Sequence, residues 1–180
     1  MRGRFAPVAA ITLLLLLAAA PSTAGPEPDR ALAPECTIVG TAAGETLRGT
    51  PGDDVICALG GDDFVIARGG NDVILLGPGE DGFDAGRGDD VVRGGGGPDY
   101  GSGGPGNDEI YGQGGGDNIL VDDRGRDLIS GGRGDDSCLS TFDGGRGDTV
   151  IGGAGYDIYG ADEGDSVSGA EEGPYHCEGG

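Results

Sequence analysis

Residues 85–93 read Ala-Gly-Arg-Gly-Asp-Asp-Val-Val-Arg, and the same pattern stands at 49–57 as Gly-Thr-Pro-Gly-Asp-Asp-Val-Ile-Cys and at 67–75 as Ala-Arg-Gly-Gly-Asn-Asp-Val-Ile-Leu. From Gly40 to Leu120 the chain divides into nine such units without a gap. Within a unit, the fourth position is usually glycine, the sixth acidic and the eighth apolar. Such strict spacing is not an effect of composition, so the chain is a repeat protein.

The sixth position carries a carboxylate in every unit of this block: Glu45, then Asp54, Asp63, Asp72, Asp81, Asp90, Asp99, Asp108 and Asp117. The eighth position is apolar in all units but one: Leu47, Ile56, Val65, Ile74, Phe83, Val92, Ile110 and Ile119, with Gly101 as the exception. In a short strand only the middle residue of three points inward. We therefore expect the eighth positions to form the core, with Val55 and Val73 facing outward.

After Val121 the phase slips by one residue and the units become less regular. Their sixth and eighth positions are Asp127 with Ile129, Asp136 with Cys138, Asp148 with Val150, and Asp157 with Tyr159. The predicted array therefore covers residues 40–169, regular over 40–120 and irregular over 121–169. Residues 25–39 form a Pro-rich leader, and residues 170–180 form a C-terminal tail.

Composition limits the possible functions. The 180 residues include 43 glycines and no tryptophan, and the net charge is -21. Glycine at this density destabilises helices and strand interiors, which argues against a helical bundle or a doubly wound enzyme. Nucleic acids and anionic membranes bind basic surfaces, so neither is an expected partner. An acidic surface attracts cations instead.

The N-terminus has the pattern of a secretory signal peptide. Arg2 and Arg4 precede an apolar run, and the small-residue segment that follows ends at Ala24. This order of charged, apolar and small residues predicts a cleaved signal peptide over residues 1–24 and a secreted protein. Four cysteines in a secreted chain suggest two disulfides, and three pairings are open.

The nonapeptide pattern resembles the RTX (repeats-in-toxin) family, whose repeats bind calcium. The resemblance implies an all-β fold, a right-handed parallel β-roll in which six glycine-rich residues turn, three form a strand, and two units make one coil. It also implies several calcium ions between stacked turns, held by backbone carbonyls and sixth-position aspartates. The implied ligands are Asp54, Asp63, Asp72, Asp81, Asp90, Asp99, Asp108, Asp117, Asp127, Asp136, Asp148 and Asp157.

Elementary chemistry supports this reading. Calcium takes six to eight oxygen ligands, many of them backbone carbonyls, and glycine lets carbonyls converge because it accepts positive φ. Aspartates stacked one strand spacing apart would repel by roughly 3 kcal/mol at an effective dielectric near 20. We therefore expect a disordered coil without calcium and a roll with it.

In a solenoid of this length the two ends lie too far apart for a disulfide, because bridged Cα atoms are within about 7 Å. The expected pairs are then Cys36–Cys57 and Cys138–Cys177, one at each end.

Catalytic patterns are weak. His176 is the only histidine, and adjacent carboxylates such as Asp53 and Asp54 recur as fifth and sixth repeat positions. The sequence thus predicts a secreted calcium-binding β-roll that is not an enzyme. Two alternatives stay open: an extracellular adhesin or ligand-binding surface module, and a disordered acidic calcium buffer.

Overall fold

The computed structural model describes residues 35–121, 125–141, 147–161 and 163–169. These residues contain no helix, and hence none that is long and apolar enough to cross a membrane. The predicted signal peptide, most of the leader and the whole tail lie outside the described residues. The strands are β1 Ile38–Val39, β2 Thr46–Arg48, β3 Val55–Cys57, β4 Phe64–Ile66, β5 Val73–Pro78, β6 Gly82–Asp84, β7 Val91–Gly96, β8 Tyr100–Ser102, β9 Glu109–Gly114, β10 Asn118–Val121, β11 Leu128–Arg133, β12 Ser137–Thr141, β13 Thr149–Ala154, β14 Tyr159–Ala161 and β15 Ser166–Ser168.

The strands alternate between two parallel sheets. The odd-numbered strands form one sheet of eight and the even-numbered strands one of seven, each in chain order. In the regular block the pairing joins residues 18 apart, as in Ile56 with Ile74 and Val65 with Phe83. Two nonapeptides therefore make one coil, and the predicted all-β parallel solenoid is confirmed.

The strands of the odd sheet are longer than the pattern predicts. From β5 to β13 each runs for six residues, because the glycines of the following turn continue the ladder, as in the pairing of Gly77 with Gly95. In the even sheet, β4, β6 and β8 keep the expected three residues. One side of the roll is thus more extensively hydrogen-bonded than the other.

The core is a single column of apolar side chains between the sheets. Ten of the predicted eighth-position residues are buried, whereas Tyr159 is partly buried and packs against them. The ten are Leu47, Ile56, Val65, Ile74, Phe83, Val92, Ile110, Ile119, Ile129 and Val150. A second contribution was not predicted. The first position of several units is also buried, as for Ala58, Ala67, Leu76 and Ala85.

Gly101 lacks an eighth-position side chain because Phe83 needs the space. A Cβ at residue 101 would lie 2.6 Å from carbons of the Phe83 ring. The same reasoning explains Gly82 on the outer face, where a Cβ would lie 2.4 Å from the Phe64 ring and 2.8 Å from that of Tyr100. Large aromatic residues are thus accommodated by a glycine in the adjoining coil.

The prediction that Cys138 points into the core is wrong. Leu139 is fully buried, whereas Cys138 is half-buried and has a φ of 54°. The register shifts here, since Asn118 pairs with Ser137 while Leu120 pairs with Ser140. The extra residue is a β-bulge, which turns the next side chain inward.

The N-terminal end begins earlier than the nonapeptide count suggests. Ile38 and Val39, assigned by the sequence to the leader, form β1 and pair with Ile56 and Cys57. The predicted disulfide Cys36–Cys57 is present, with a Cα–Cα distance of 5.9 Å. Cys138 has no disulfide partner among the described residues. Cys177 lies outside them, so the second pairing stays a prediction.

Because the turns stack closely, we expect substitution of Gly97 to destabilise the roll far more than substitution of its neighbour Gly96. Gly97 has a φ of +117°, and a Cβ there would lie 1.9 Å from the carbonyl oxygen of Gly79. Around Gly96 a Cβ would meet nothing within 4 Å. We expect Gly97→Ala to cost at least about 1–2 kcal/mol from the backbone conformation alone, and Gly96→Ala to stay within about 0.5 kcal/mol. Thermal unfolding in calcium measures both, and equal losses would contradict this stacking.

Candidate metal centre

All twelve aspartates predicted as ligands are buried, although a carboxylate is rarely buried unless it is paired or binds a metal. Their exposed fractions run from 0% for Asp81, Asp90, Asp117 and Asp157 to 7% for Asp54. The roll arranges them in two columns, one at each edge. The first edge carries Asp54, Asp72, Asp90, Asp108, Asp127 and Asp148, and the second carries Asp63, Asp81, Asp99, Asp117, Asp136 and Asp157.

One oxygen of each carboxylate joins successive coils. Oδ1 of Asp90 accepts the backbone N–H of Asp72 at 2.7 Å, and Oδ1 of Asp108 accepts that of Asp90 at 2.8 Å. The second edge repeats the arrangement, with Oδ1 of Asp99 accepting the N–H of Asp81 at 3.0 Å. Each sixth-position side chain is therefore held in place by the coil before it.

The other oxygen is left without such a partner. Oδ2 is buried and has no hydrogen-bond partner among the described residues in Asp63, Asp72, Asp81, Asp90, Asp99, Asp108, Asp117, Asp136 and Asp157. A buried charged oxygen without a partner is costly, and a bound cation removes that cost. These atoms are the observation that fits the residues of the roll to a metal ion.

Glycine leaves space beside these oxygens. A Cβ added at Gly112 would lie 2.1 Å from Oδ2 of Asp117, and one added at Gly94 would lie 2.4 Å from Oδ2 of Asp99. In each pair the glycine is the first residue of the unit and the aspartate is the sixth. The turn thus keeps a side chain away from the unpartnered oxygen.

Burial raises the pKa of seven of the sixth-position carboxyls above the ordinary value of 3.8. Desolvation is the largest cause, and it raises the pKa to about 7 for Asp99 and Asp108 and to about 6 for Asp90 and Asp136. Repulsion between stacked carboxylates adds to this, as between Asp90 and Asp72. The pKa values of Asp72, Asp81 and Asp117 are raised as well. A metal-free roll at neutral pH therefore holds its carboxylates under electrostatic strain that a cation would relieve.

Asp54 differs from Asp72, Asp90 and Asp108 on the first edge. Its Oδ2 accepts the backbone N–H of Thr50 at 2.7 Å and lies 2.9 Å from the Thr50 hydroxyl. The backbone hydrogen bond from Thr50 is the largest cause that lowers the pKa of Asp54. Asp54 thus lies where the sequence predicts, but its carboxylate already has partners.

The fifth positions form a further ladder that sequence reasoning missed. Oδ1 of Asp89 accepts the backbone N–H of Asn107 at 2.8 Å, and the Asp89 N–H donates to Oδ1 of Asn71 at 3.0 Å. In this exposed ladder the N–H of the later coil donates to the side chain of the earlier coil, which is the reverse of the sixth-position ladder. These bonds from Asn107 lower the pKa of Asp89. Asparagine at 71 and 107 was the available signal, because Asn and Asp side chains often bond to backbone groups.

The ligand atoms that the aspartate columns and the glycine turns offer a cation are carboxylate and carbonyl oxygens. The described residues contain no group of three or more His, Cys, Asp or Glu side chains that could hold a metal. An ion beside Oδ2 would therefore take most of its ligands from the backbone carbonyls of the glycine turns. Oxygen-only coordination with many carbonyls suits calcium, whereas zinc prefers nitrogen and sulfur.

One comparison with known proteins gives a match. The family model described as RTX calcium-binding nonapeptide repeat (4 copies) matches residues 39–74, 58–92, 77–110, 93–119 and 113–140. No curated protein and no solved structure matches the chain.

Proposed function

The chain belongs to the RTX calcium-binding nonapeptide repeat family, and on this basis we propose that it is a secreted protein whose roll folds as several calcium ions bind between stacked turns. The ligands are sixth-position aspartates that have an unpartnered Oδ2, and this atom faces the ion. The observation that carries the proposal is the column of buried, unpartnered carboxylate oxygens at each edge of the roll.

The two oxygens of one aspartate have separate tasks in this proposal. Oδ1 binds the backbone of the preceding coil, which fixes the side chain, and Oδ2 is left to bind calcium. The ion supplies positive charge between carboxylates that otherwise repel each other. Each bound ion thereby ties neighbouring turns of one edge together.

Secretion is supported by the N-terminal sequence and by the disulfide. Residues 1–24 have the charged, apolar and small-residue order of a signal peptide. Cys36–Cys57 requires an oxidising compartment to persist. The expected location is therefore extracellular, where free calcium matches the millimolar affinity of extracellular calcium modules.

We propose no catalytic step for this chain. The carboxylates available for acid–base chemistry are committed to the ladders: Asp90 bonds to the coil before it and Asp89 to the coil after it. Both are repeat positions, occupied in the same way in other coils.

Isothermal titration of the mature chain with calcium tests this function. We expect more than one ion per chain, with a midpoint of roughly 10⁻⁴–10⁻³ M. Magnesium should bind poorly, because it demands tight octahedral geometry and keeps its waters. Equal binding of the two metals, or none of either, would refute the proposal.

A further inference from the structure

The two turns at the N-terminal end differ from the others in sequence and in backbone. Their second position is threonine, Thr41 in the turn that ends at Glu45 and Thr50 in the turn that ends at Asp54. In many later turns the second position has positive φ, even where it is not glycine, as at Leu59 with 83° and Arg68 with 85°. Neither Thr41 nor Thr50 has a positive φ. The backbone N–H of the threonine is thus free to bond inside its own turn.

Thr50 makes several hydrogen bonds inside its own turn. Its N–H donates to Oδ2 of Asp54 at 2.7 Å, and its hydroxyl lies 2.9 Å from the same oxygen and 3.1 Å from the carbonyl oxygen of Gly52. The hydroxyl also accepts the Gly52 N–H at 3.3 Å. With one hydrogen it donates to one of the two oxygens at a time. Thr50 therefore bridges a carboxylate and a carbonyl, the two kinds of oxygen that calcium would bridge.

Thr41 repeats part of this arrangement at the second edge. Its N–H donates to Oε1 of Glu45, and its hydroxyl accepts the N–H of Ala43 at 3.3 Å. The next carboxylates along each edge, Asp63 and Asp72, have an unpartnered Oδ2. On each edge, the carboxylate bonds to a threonine where threonine occupies the second position of the turn. In the next coil, where the second position is not threonine, the carboxylate has an unpartnered Oδ2.

The carboxylate column of the first edge also stops at Asp54. Cys36 stands 18 residues earlier, where the next sixth-position aspartate would lie, and it is bound to Cys57. Oδ1 of Asp54 instead accepts a hydrogen bond from the Thr37 hydroxyl at 3.3 Å. An ion on the outer side of Asp54 would have no sixth-position carboxylate in the preceding coil to bind, because Cys36 stands there.

We propose that Thr50 takes the place of a calcium ion in its turn, so that Asp54 closes the end of the roll without metal and the calcium-binding carboxylates of the first edge begin at Asp72. This inference rests on the proposed calcium-binding function. The N–H and the hydroxyl of Thr50 bind the carboxylate of Asp54, as a calcium ion would bind the carboxylates of later turns. The terminal coil is then held by hydrogen bonds and a disulfide and does not require an incomplete ion site.

The test compares four variants of the mature chain by calcium titration and thermal unfolding. Asp54→Asn and Thr50→Val should leave the number of bound ions unchanged and the affinity within about twofold, yet each should lower the unfolding temperature in saturating calcium by several degrees. Asp90→Asn should lose calcium affinity tenfold or more. Thr46→Val, on the exposed face of β2, is the control for threonine removal and should change neither quantity.

The outcomes separate this inference from the proposed function. If Asp54→Asn loses calcium as Asp90→Asn does, Asp54 is a ligand and the inference is overturned while the function stands. If the wild-type chain binds no calcium, the function itself fails. An unchanged ion count with a lower unfolding temperature in both Asp54→Asn and Thr50→Val supports the inference that Asp54 closes the end of the roll without metal.

Discussion

Asp90→Asn is expected to weaken calcium binding tenfold or more, whereas Asp89→Asn leaves it nearly unchanged. Both substitutions remove one negative charge, and the two residues are adjacent. Asp90 is fully buried with an unpartnered Oδ2, so its substitution removes a charged ligand. Hydrogen bonds to charged groups contribute roughly 1.5–3 kcal/mol, and 1.4 kcal/mol is a factor of ten. Calcium titration of the two variants measures the difference.

The structure makes this pair a closely matched comparison. Asparagine at 90 retains Oδ1, which accepts the N–H of Asp72, so the ladder is preserved. Asparagine already occupies the fifth position at 71, where its Oδ1 accepts the N–H of Asp89, so it is also compatible with position 89. Asp62 and Asp63 on the second edge provide a repeat of the experiment. Superimposable isotherms within each pair would show that the carboxylates only solvate the chain.

Removal of calcium is expected to unfold the roll. In excess chelator at pH 8 the mature chain should give the circular dichroism of a disordered coil, and added calcium should restore the β signal. The reason is the set of buried carboxylates that repel one another when no cation separates them. A chain with the same β signal in chelator and in calcium would contradict coupled folding and would also exclude the disordered calcium buffer.

Acid should partly replace calcium in the same experiment. The pKa values of Asp99 and Asp108 rise to about 7 in the roll, against 3.8 for the ordinary group. Protons therefore bind the roll before they bind the coil, and the stability of the metal-free roll increases as the pH falls from about 7 toward 4. Asp54, whose pKa is lowered, opposes this only below its ordinary value. A β signal in chelator that does not grow between pH 8 and pH 5 would contradict these shifts.

The period of nine predicts the features that every coil shares. It placed Ile56 and Ile74 in the core and Asp72 and Asp90 in one buried column, because residues at the same repeat position stack at the same place. It could not predict the bulge at Cys138, since a shift of one residue depends on how β12 pairs with β10. Repetition defines the average coil but not its local departures.

Contacts between coils are the second feature that the sequence could not predict. The ladder through Asp89 and Asn107 follows from the register of the stacked turns, which a single unit does not reveal. The hydrogen bonds inside the turn at Thr50 depend on the φ of Thr50, which is not positive. The repeat pattern does not predict this φ. Both details decide which carboxylates are available to a metal, and both needed the three-dimensional arrangement.

The most direct test is a crystal structure grown in calcium, with an anomalous difference map that locates the ions. The account predicts peaks between successive turns of each edge, about 2.3–2.6 Å from Oδ2 of sixth-position aspartates such as Asp90 and Asp108. Peaks found only beside the exposed fifth-position residues, or an intact roll in calcium with no peak at either edge, would contradict it.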